Sequence, residues 1–141
     1  MDGLRGSRGV RAAAGAAAVL TVAAGLGVRA VAGGEVAKYA GDALYTVLVY
    51  ALVVLAAPRL RPVRAGAWAA GLSWAVEFFQ LTGVPDDLGH RSALARLVLG
   101  STFNPPDLAW YLVGAVLAGA AHTGLGAVRA PSANRRPART R

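Results

Sequence analysis

The sequence predicts an all-α fold, an integral membrane four-helix bundle with a short interfacial or re-entrant segment between helices 3 and 4. Apolar residues make up 55% of the 141 residues and charged residues only 16%, whereas a typical soluble domain is about 25% charged. Four apolar windows reach or approach the roughly 20 residues that a helix needs to cross a bilayer. Most arginines lie outside these windows, which is typical of a multi-span membrane protein.

The predicted spans form a single transmembrane domain that covers residues 12–128. The spans are about 12–32, 38–57, 63–84 and 107–128. The second is strictly apolar only from Ala43, so it is either short or carries Asp42 inside its first turns. The third lies between two prolines, and the fourth follows two more. Small residues four positions apart, such as Gly114 and Ala118, would let the helices pack closely.

The distribution of basic residues predicts the orientation, because cytoplasmic segments are enriched in lysine and arginine. With four spans, both termini and the link between the second and third spans lie on one side. These segments hold Arg5, Arg8, Arg11, Arg59, Arg61, Arg64, Arg129, Arg135, Arg136, Arg139 and Arg141. We therefore predict a multi-pass protein of the bacterial cytoplasmic membrane with both termini cytoplasmic. Residues 1–11 would form a basic N-terminus and residues 129–141 a basic, disordered tail.

The N-terminus also allows a different interpretation. A basic start, an apolar stretch and the small residues at 30–32 resemble a cleavable secretory signal. The apolar stretch exceeds the roughly 7 to 15 residues of such signals, which favours a retained helix. Cleavage would leave three spans without changing the orientation of the rest, and the mass of the purified protein would decide.

Composition excludes several classes of site. Cysteine is absent, which rules out disulfides, thiolate nucleophiles and cysteine zinc sites. His90 and His122 are too far apart for a local metal motif, so we expect no metal and no cofactor. The net charge of +8 has no accompanying stripe of basic and aromatic residues, so we expect no nucleic acid as a partner. The expected partners are membrane lipids, a second copy of the chain or envelope proteins.

Glu77 most needs an explanation. Counting back from Pro85 at 1.5 Å per residue places it roughly 12 Å inside the third span. A carboxylate there costs about 2.5 to 3.5 kcal/mol, while neighbouring apolar residues return about 0.3 to 0.6 kcal/mol each. The third helix should therefore be marginal alone. Ser73, Glu77 and Gln80 share one helix face, and an intramembrane carboxylate is by default a candidate functional site.

The other acidic residues have a simpler interpretation. Gly41-Asp42 can start the second helix. Asp107 follows Asn104 and two prolines and would lie in the first turn of the fourth helix. Aspartate accepts backbone N–H groups there and suits the positive end of the helix dipole.

The connection at 84–104 is unusually long, which indicates structure of its own. We expect a short helix, ended by Gly100, that brings Arg91 or Arg96 to the outer ends of the third and fourth helices. One guanidinium could then pair with Glu77, either to fix the fold or as part of a ligand site. The predicted polar cluster is Asp42, Glu77, Gln80, Arg91, Arg96, Asp107 and Tyr111.

Aromatic residues and a histidine complete the set of candidates. Tyr45 and Tyr111 could line the same vestibule, or they could serve with Trp110 as interfacial aromatics. His122 lies near the inner end of the fourth span, far from the cluster. We expect it to be a packed or interfacial histidine rather than a ligand.

Several short motifs occur in a recognisable order. They are "GDALY" at 41–45, "EFFQL" at 77–81, Arg91, "LVLGSTF" at 97–103, "DL" at 107–108, Tyr111 and Gly114. In order and spacing, from about Gly41 to Gly119, the chain resembles the DUF2809 family of small bacterial integral membrane proteins, a domain of unknown function. The order of glutamate, glutamine, arginine, aspartate and glycine is also similar to that of VanZ-like proteins, which are associated with the cell envelope and with low-level glycopeptide resistance.

The resemblance has two departures. Thr82 and Pro106 stand where aromatic residues are expected, which thins any aromatic wall of the vestibule. The resemblance implies a membrane location and a multi-span helical fold, but no reaction.

The functional expectation is a non-enzymatic membrane protein whose outer-leaflet polar cluster binds an envelope-associated ligand, lipid or partner. One alternative is a VanZ-like envelope enzyme or antibiotic-resistance factor, with Glu77 or Asp107 as general base. Another is a proton-linked small transporter, although four spans are few for one and no inverted repeat is evident.

Overall fold

The computed structural model of the chain describes residues 2–129, which form six α-helices. In chain order these are α1 (Asp2–Val31), α2 (Gly34–Ala56), α3 (Pro62–Gln80), α4 (Val84–Arg91), α5 (Ala93–Leu99) and α6 (Pro105–Arg129). The all-α prediction is confirmed for this range. The predicted disordered tail, except for Arg129 at the end of α6, lies outside the described residues.

Three of the helices are long and apolar enough to cross a membrane. These spans are Gly6–Val31 in α1, Gly34–Ala56 in α2 and Pro105–Gly126 in α6. The helix α3 is not among them, because its 19 residues include Arg64, Glu77 and Gln80. The structure is therefore compatible with a membrane protein. Whether α3 can enter a bilayer depends on how its polar side chains are covered.

The helix α2 lies at the centre of the fold. It packs against α1, α3 and α6, and α3 also packs against α6. Within the described part of the chain, α1 packs against no helix except α2, so α1 and α3 do not pack against each other. Ala65 and Ala69 of α3 are completely buried against Tyr50 and Val54 of α2. Small side chains on α3 thus allow its close approach to α2.

The contact between α2 and α6 is closest at Gly114. A Cβ atom added at Gly114 would overlap the carbonyl oxygen of Ala43 and lie only 3.0 Å from its carbonyl carbon. Backbone therefore meets backbone at this point, and glycine is the residue that permits it. Ala118, one turn later, packs against the apolar core.

The segment between α3 and α6 contains two short helices that pack against each other. Gly83 and Gly100 have positive φ angles, +74° and +67°, which glycine adopts readily. The Ser92 side chain caps α5 by accepting a hydrogen bond from the Ala95 N–H at 3.2 Å. The prediction of a structured connection with a helix that ends at Gly100 is confirmed, and α4 is an additional helix.

The helix boundaries differ from the predicted spans most at the starts of α1 and α2 and at the end of α3, which is Gln80 rather than residue 84. The helix α1 begins at Asp2 rather than near residue 12, because no proline interrupts residues 2–31 and the basic residues are good helix formers. The helix α2 begins at Gly34, where φ is +59°. Asp42 consequently lies two turns inside α2, and the expectation that it starts this helix is wrong.

Candidate functional site

A cavity of about 620 Å³ lies between α1, α2, α3, α6 and the residues at 96–102. We call it the polar cavity; its charged, amide and phenolic side chains are Arg29, Lys38, Asp42, Tyr45, Glu77, Gln80, Arg96, Asp107 and Tyr111. The end of α1, the end of α3 and the beginnings of α2 and α6 meet here. Its volume falls in the roughly 300 to 1,000 Å³ range of small-molecule sites.

Glu77 is the most completely buried ionisable residue of this site, with 1% of its surface exposed. Its Oε1 atom accepts a hydrogen bond from the backbone N–H of Asn104 at 2.6 Å. Its Oε2 atom accepts one from the hydroxyl of Tyr111 at 2.9 Å. Two neutral donors therefore satisfy both oxygens, which removes the cost of leaving buried acceptors unbonded.

The expected ion pair between Glu77 and an arginine is absent from the part of the chain that the structure describes. Arg91 is exposed in the last turn of α4 and does not line the polar cavity. Arg96 lines the cavity but does not bond Glu77. The packing of α6 on α3 brings Tyr111 to the carboxylate first.

Lys38 connects the two aspartates of the cavity. Its Nζ atom lies 3.5 Å from Asp42 Oδ2 and also pairs with Asp107 Oδ1. The side-chain amide of Asn104 donates to the same Asp107 oxygen. Asp107 occupies the first turn of α6, as predicted. Lys38 was not among the residues of the predicted polar cluster, although its four-residue spacing from Asp42 was a usable signal.

The polar face of α3 is buried as predicted. Ser73 and Thr46 are completely buried, and the Thr46 hydroxyl donates to Ser73 Oγ at 3.0 Å. Gln80, 9% exposed, donates from Nε2 to the carbonyl oxygen of Leu99 at 2.8 Å. Phe78 and Phe79 point away from this face and are exposed. One face of α3 therefore meets protein, and the opposite face is apolar.

Two buried acceptor atoms in the polar cavity have no hydrogen-bond donor among the described residues. They are Gln80 Oε1 and Asp42 Oδ2. The ion pair with Lys38 neutralises part of the Asp42 charge but forms no hydrogen bond to Oδ2. Most buried acceptors in folded proteins are bonded to protein or to water, so these two atoms are exceptions among the described residues.

Aromatic side chains close part of the cavity. Tyr45 and Tyr111 both line it, with ring centroids 6.0 Å apart. Outside it, Tyr39 stacks on Trp110 at 5.4 Å. The predicted vestibule tyrosines thus face one space, and the stacked pair lies outside it.

His122 lies at the other end of the helices, away from the polar cavity. Its Nδ1 atom is 2.9 Å from the hydroxyl of Tyr50, in keeping with the expected packed histidine. Within residues 2–129, the structure contains no group of three or more histidine, aspartate or glutamate residues arranged to hold a metal ion.

Arg29 and Arg96 are the basic residues of the cavity that form no ion pair within the described ranges. Arg29 lies in the last turn of α1, and Arg96 lies in the last turn of α5. Both side chains are available to bind an anionic group. Arg29 was not among the residues of the predicted polar cluster.

We expect Gly100→Ala to destabilise the protein by disturbing the Gln80–Leu99 hydrogen bond at the cavity. The new Cβ would lie 2.5 Å from Gln80 Nε2, and φ at this position is +67°. Loss of the Gln80–Leu99 hydrogen bond and backbone strain should together lower the free energy of unfolding by roughly 1 to 3 kcal/mol. Gly83→Ala is the matched control, because Gly83 also has a positive φ but its Cβ would meet nothing. Equal losses, measured by denaturation in mild detergent, would contradict a role for Gln80.

Comparison with known proteins identifies the family. The family model described as "Protein of unknown function (DUF2809)" matches residues 31–115, which is more than half of the chain. The match covers α2 to α5, the first part of α6 and the cavity residues that they carry. No curated protein and no solved structure matches the chain. The chain belongs to the DUF2809 family.

Proposed function

We propose that this protein is a multi-pass protein of the bacterial cytoplasmic membrane that binds a phospholipid in the polar cavity through the phosphate of its headgroup. The proposal rests on one observation. The same cavity contains apolar walls and two guanidinium groups without an ion pair to any described residue, those of Arg29 and Arg96. Arginine binds phosphate and carboxylate groups through two parallel hydrogen bonds.

The distribution of polar side chains on α3 supports a fourth span. Its buried face holds Ser73, Glu77 and Gln80. Its exposed face holds large apolar residues, among them Trp68 and Phe78. A helix that turns its polar groups to neighbouring helices and its apolar groups outward suits a bilayer, even when its average composition is only moderately apolar. With α1, α2 and α6 it would complete a four-helix transmembrane bundle.

The orientation follows from the basic residues. With four spans, both termini and the link after α2 would lie on the cytoplasmic side. The polar cavity would then open on the outer side. Leu94, Leu97 and Val98 of α5 are exposed, which suits an amphipathic segment lying in the membrane interface.

The shape of the cavity suits a lipid chain as well as a headgroup. Val22 and Leu26 of α1 and Leu44 and Leu48 of α2 line it. Because α1 packs against α2 but not α3, the gap between α1 and α3 offers an acyl chain a lateral path from the cavity into the bilayer. The ligand would thus remain partly in the membrane.

Binding is better supported than catalysis or transport. A VanZ-like envelope enzyme or a proton-linked transporter would use Glu77 or Asp107 as a proton acceptor. Tyr111 and Asn104 already bond both oxygens of Glu77, and Lys38 pairs with Asp107. Neither carboxylate faces the cavity as a free base.

We expect Arg29→Gln together with Arg96→Gln to reduce the amount of phospholipid that copurifies with the protein. The loss of two charge-assisted contacts should lower the bound fraction about tenfold or more at limiting lipid. The measurement is mass spectrometry of lipid extracted from protein purified in mild detergent. The control is Arg61→Gln together with Arg64→Gln, which removes the same charge from exposed positions at the start of α3. Equal lipid contents in the two variants, at equal thermal stability, would overturn the proposal.

A further inference from the structure

The two unbonded acceptors give the polar cavity a second chemical requirement, besides the anionic group that Arg29 and Arg96 would bind. Gln80 Oε1 and Asp42 Oδ2 are buried, and both residues line the cavity. A buried acceptor without a donor has lost the hydrogen bond that it would make to water. A ligand that fills this cavity should therefore bring N–H or O–H groups to them.

The charges around these acceptors favour a cationic donor. Asp42 and Asp107 share the single ammonium group of Lys38. Glu77 is bonded only by the neutral donors of Tyr111 and Asn104. The inner part of the cavity thus holds three carboxyl groups and one cation, whereas the free cations are Arg29 and Arg96. A positive group on the ligand would be bound by charge-assisted hydrogen bonds.

We infer that the bound headgroup is zwitterionic, with a primary ammonium group linked to a phosphate, as in a phosphoethanolamine lipid. This inference rests on the proposed lipid-binding function and names the headgroup. The ammonium donates to Asp42 Oδ2 and Gln80 Oε1, and the phosphate binds Arg29 and Arg96. The acyl chains leave through the gap between α1 and α3.

Two related headgroups distinguish the contribution of the ammonium group from that of the phosphate. A phosphocholine headgroup keeps the phosphate and the positive charge but has no N–H group, so it cannot bond the two acceptors. A phosphoglycerol headgroup keeps the phosphate and offers hydroxyl donors but no positive charge. All three bind arginine equally through the phosphate, so any preference arises at Asp42 and Gln80.

The test is native mass spectrometry of the full chain in detergent with an equimolar mixture of the three phospholipids, matched in their acyl chains. We expect the phosphoethanolamine lipid to be bound about tenfold or more over each of the others, since a hydrogen bond to a charged group contributes at least one power of ten. Equal binding of the three lipids would overturn the inference while leaving the proposed function intact. Absence of any bound lipid would overturn both.

The variant Asp42→Asn tests whether Asp42 is responsible for the preference for the phosphoethanolamine lipid. Asp42→Asn keeps the size of the side chain and removes its charge, and we expect it to reduce the preference to about twofold or less. Asp86→Asn is the matched control, because Asp86 is exposed on α4 and pairs with His90 outside the cavity. A preference that survives Asp42→Asn would overturn the assignment of the ammonium site. If Asp42→Asn does not fold, the lipid series on the unchanged protein decides alone.

A competition experiment tests whether the bound headgroup belongs to a lipid or to a soluble molecule. Glycerophosphoethanolamine carries the same ammonium and phosphate without acyl chains. We expect millimolar concentrations of it to displace little lipid, because the chain contacts with the apolar wall are lost. Complete displacement would overturn the lipid part of the inference and assign the cavity to a soluble zwitterion.

Discussion

Glu77→Ala is expected to lower the free energy of unfolding by roughly 2 to 6 kcal/mol, because two buried donors lose their acceptor at once at about 1 to 3 kcal/mol each. The donors are the hydroxyl of Tyr111 and the backbone N–H of Asn104. Glu77→Gln keeps the volume and one acceptor and should cost less. Denaturation in one mild detergent, followed by tryptophan fluorescence, measures both.

A double-mutant cycle identifies the partner of Glu77. Glu77→Gln combined with Tyr111→Phe should show a coupling of about 0.5 to 3 kcal/mol, as residues in direct contact do. Glu77→Gln combined with Arg91→Gln should be additive within roughly 0.5 kcal/mol, because Arg91 lies outside the cavity. The reverse pattern would contradict the hydrogen bonding described above. Unchanged or increased stability in Glu77→Gln would mean that the carboxylate is kept at a cost to the fold.

Gly114→Val should be the most disruptive substitution outside the cavity. A Cβ atom at this position meets the carbonyl group of Ala43, which is backbone and cannot rotate away. Gly114→Ala should already cost roughly 1 to 3 kcal/mol, and the larger valine should cost more, because α6 must move away from α2. The same denaturation experiment provides the measurement.

Gly124 supplies the control for this substitution. It lies on the same helix, and a Cβ there would meet nothing within 4 Å. Gly124→Ala should be neutral or stabilise the protein by up to roughly 1 kcal/mol, because alanine loses less backbone entropy in a helix. Similar losses in Gly114→Ala and Gly124→Ala would show that α2 and α6 do not approach as closely as described.

The sequence predicted correctly those features that depend on residues within a single helix. The spacing of Ser73, Glu77 and Gln80 placed them on one face of α3, and that face is buried. Gly100 marked the end of α5. Both results follow from local geometry, which depends on residues within a few positions of each other.

Contacts between helices could not be predicted from the sequence. The partner of Glu77 depends on how far α6 is shifted along α3, and no local pattern sets that shift. A charged residue such as Arg91 was the obvious candidate, yet a tyrosine and a backbone N–H occupy the position. The role of Arg29 depends likewise on where α1 ends beside α2. Its contribution to the cavity became visible only with the packed helices.

Because the chain is synthesised from its N-terminus, the hydrogen bonds of Glu77 can form only after a delay. Asn104 and Tyr111 lie 27 and 34 residues beyond Glu77, so the ribosome completes α3 before either donor exists. At about 5 to 20 residues per second, the interval is roughly 2 to 7 seconds. During that interval the nascent helix carries a carboxyl group without its native partners. The hydrogen bonds of Glu77 are therefore late events in the folding of the new chain, because they can form only after the first turns of α6 have been made.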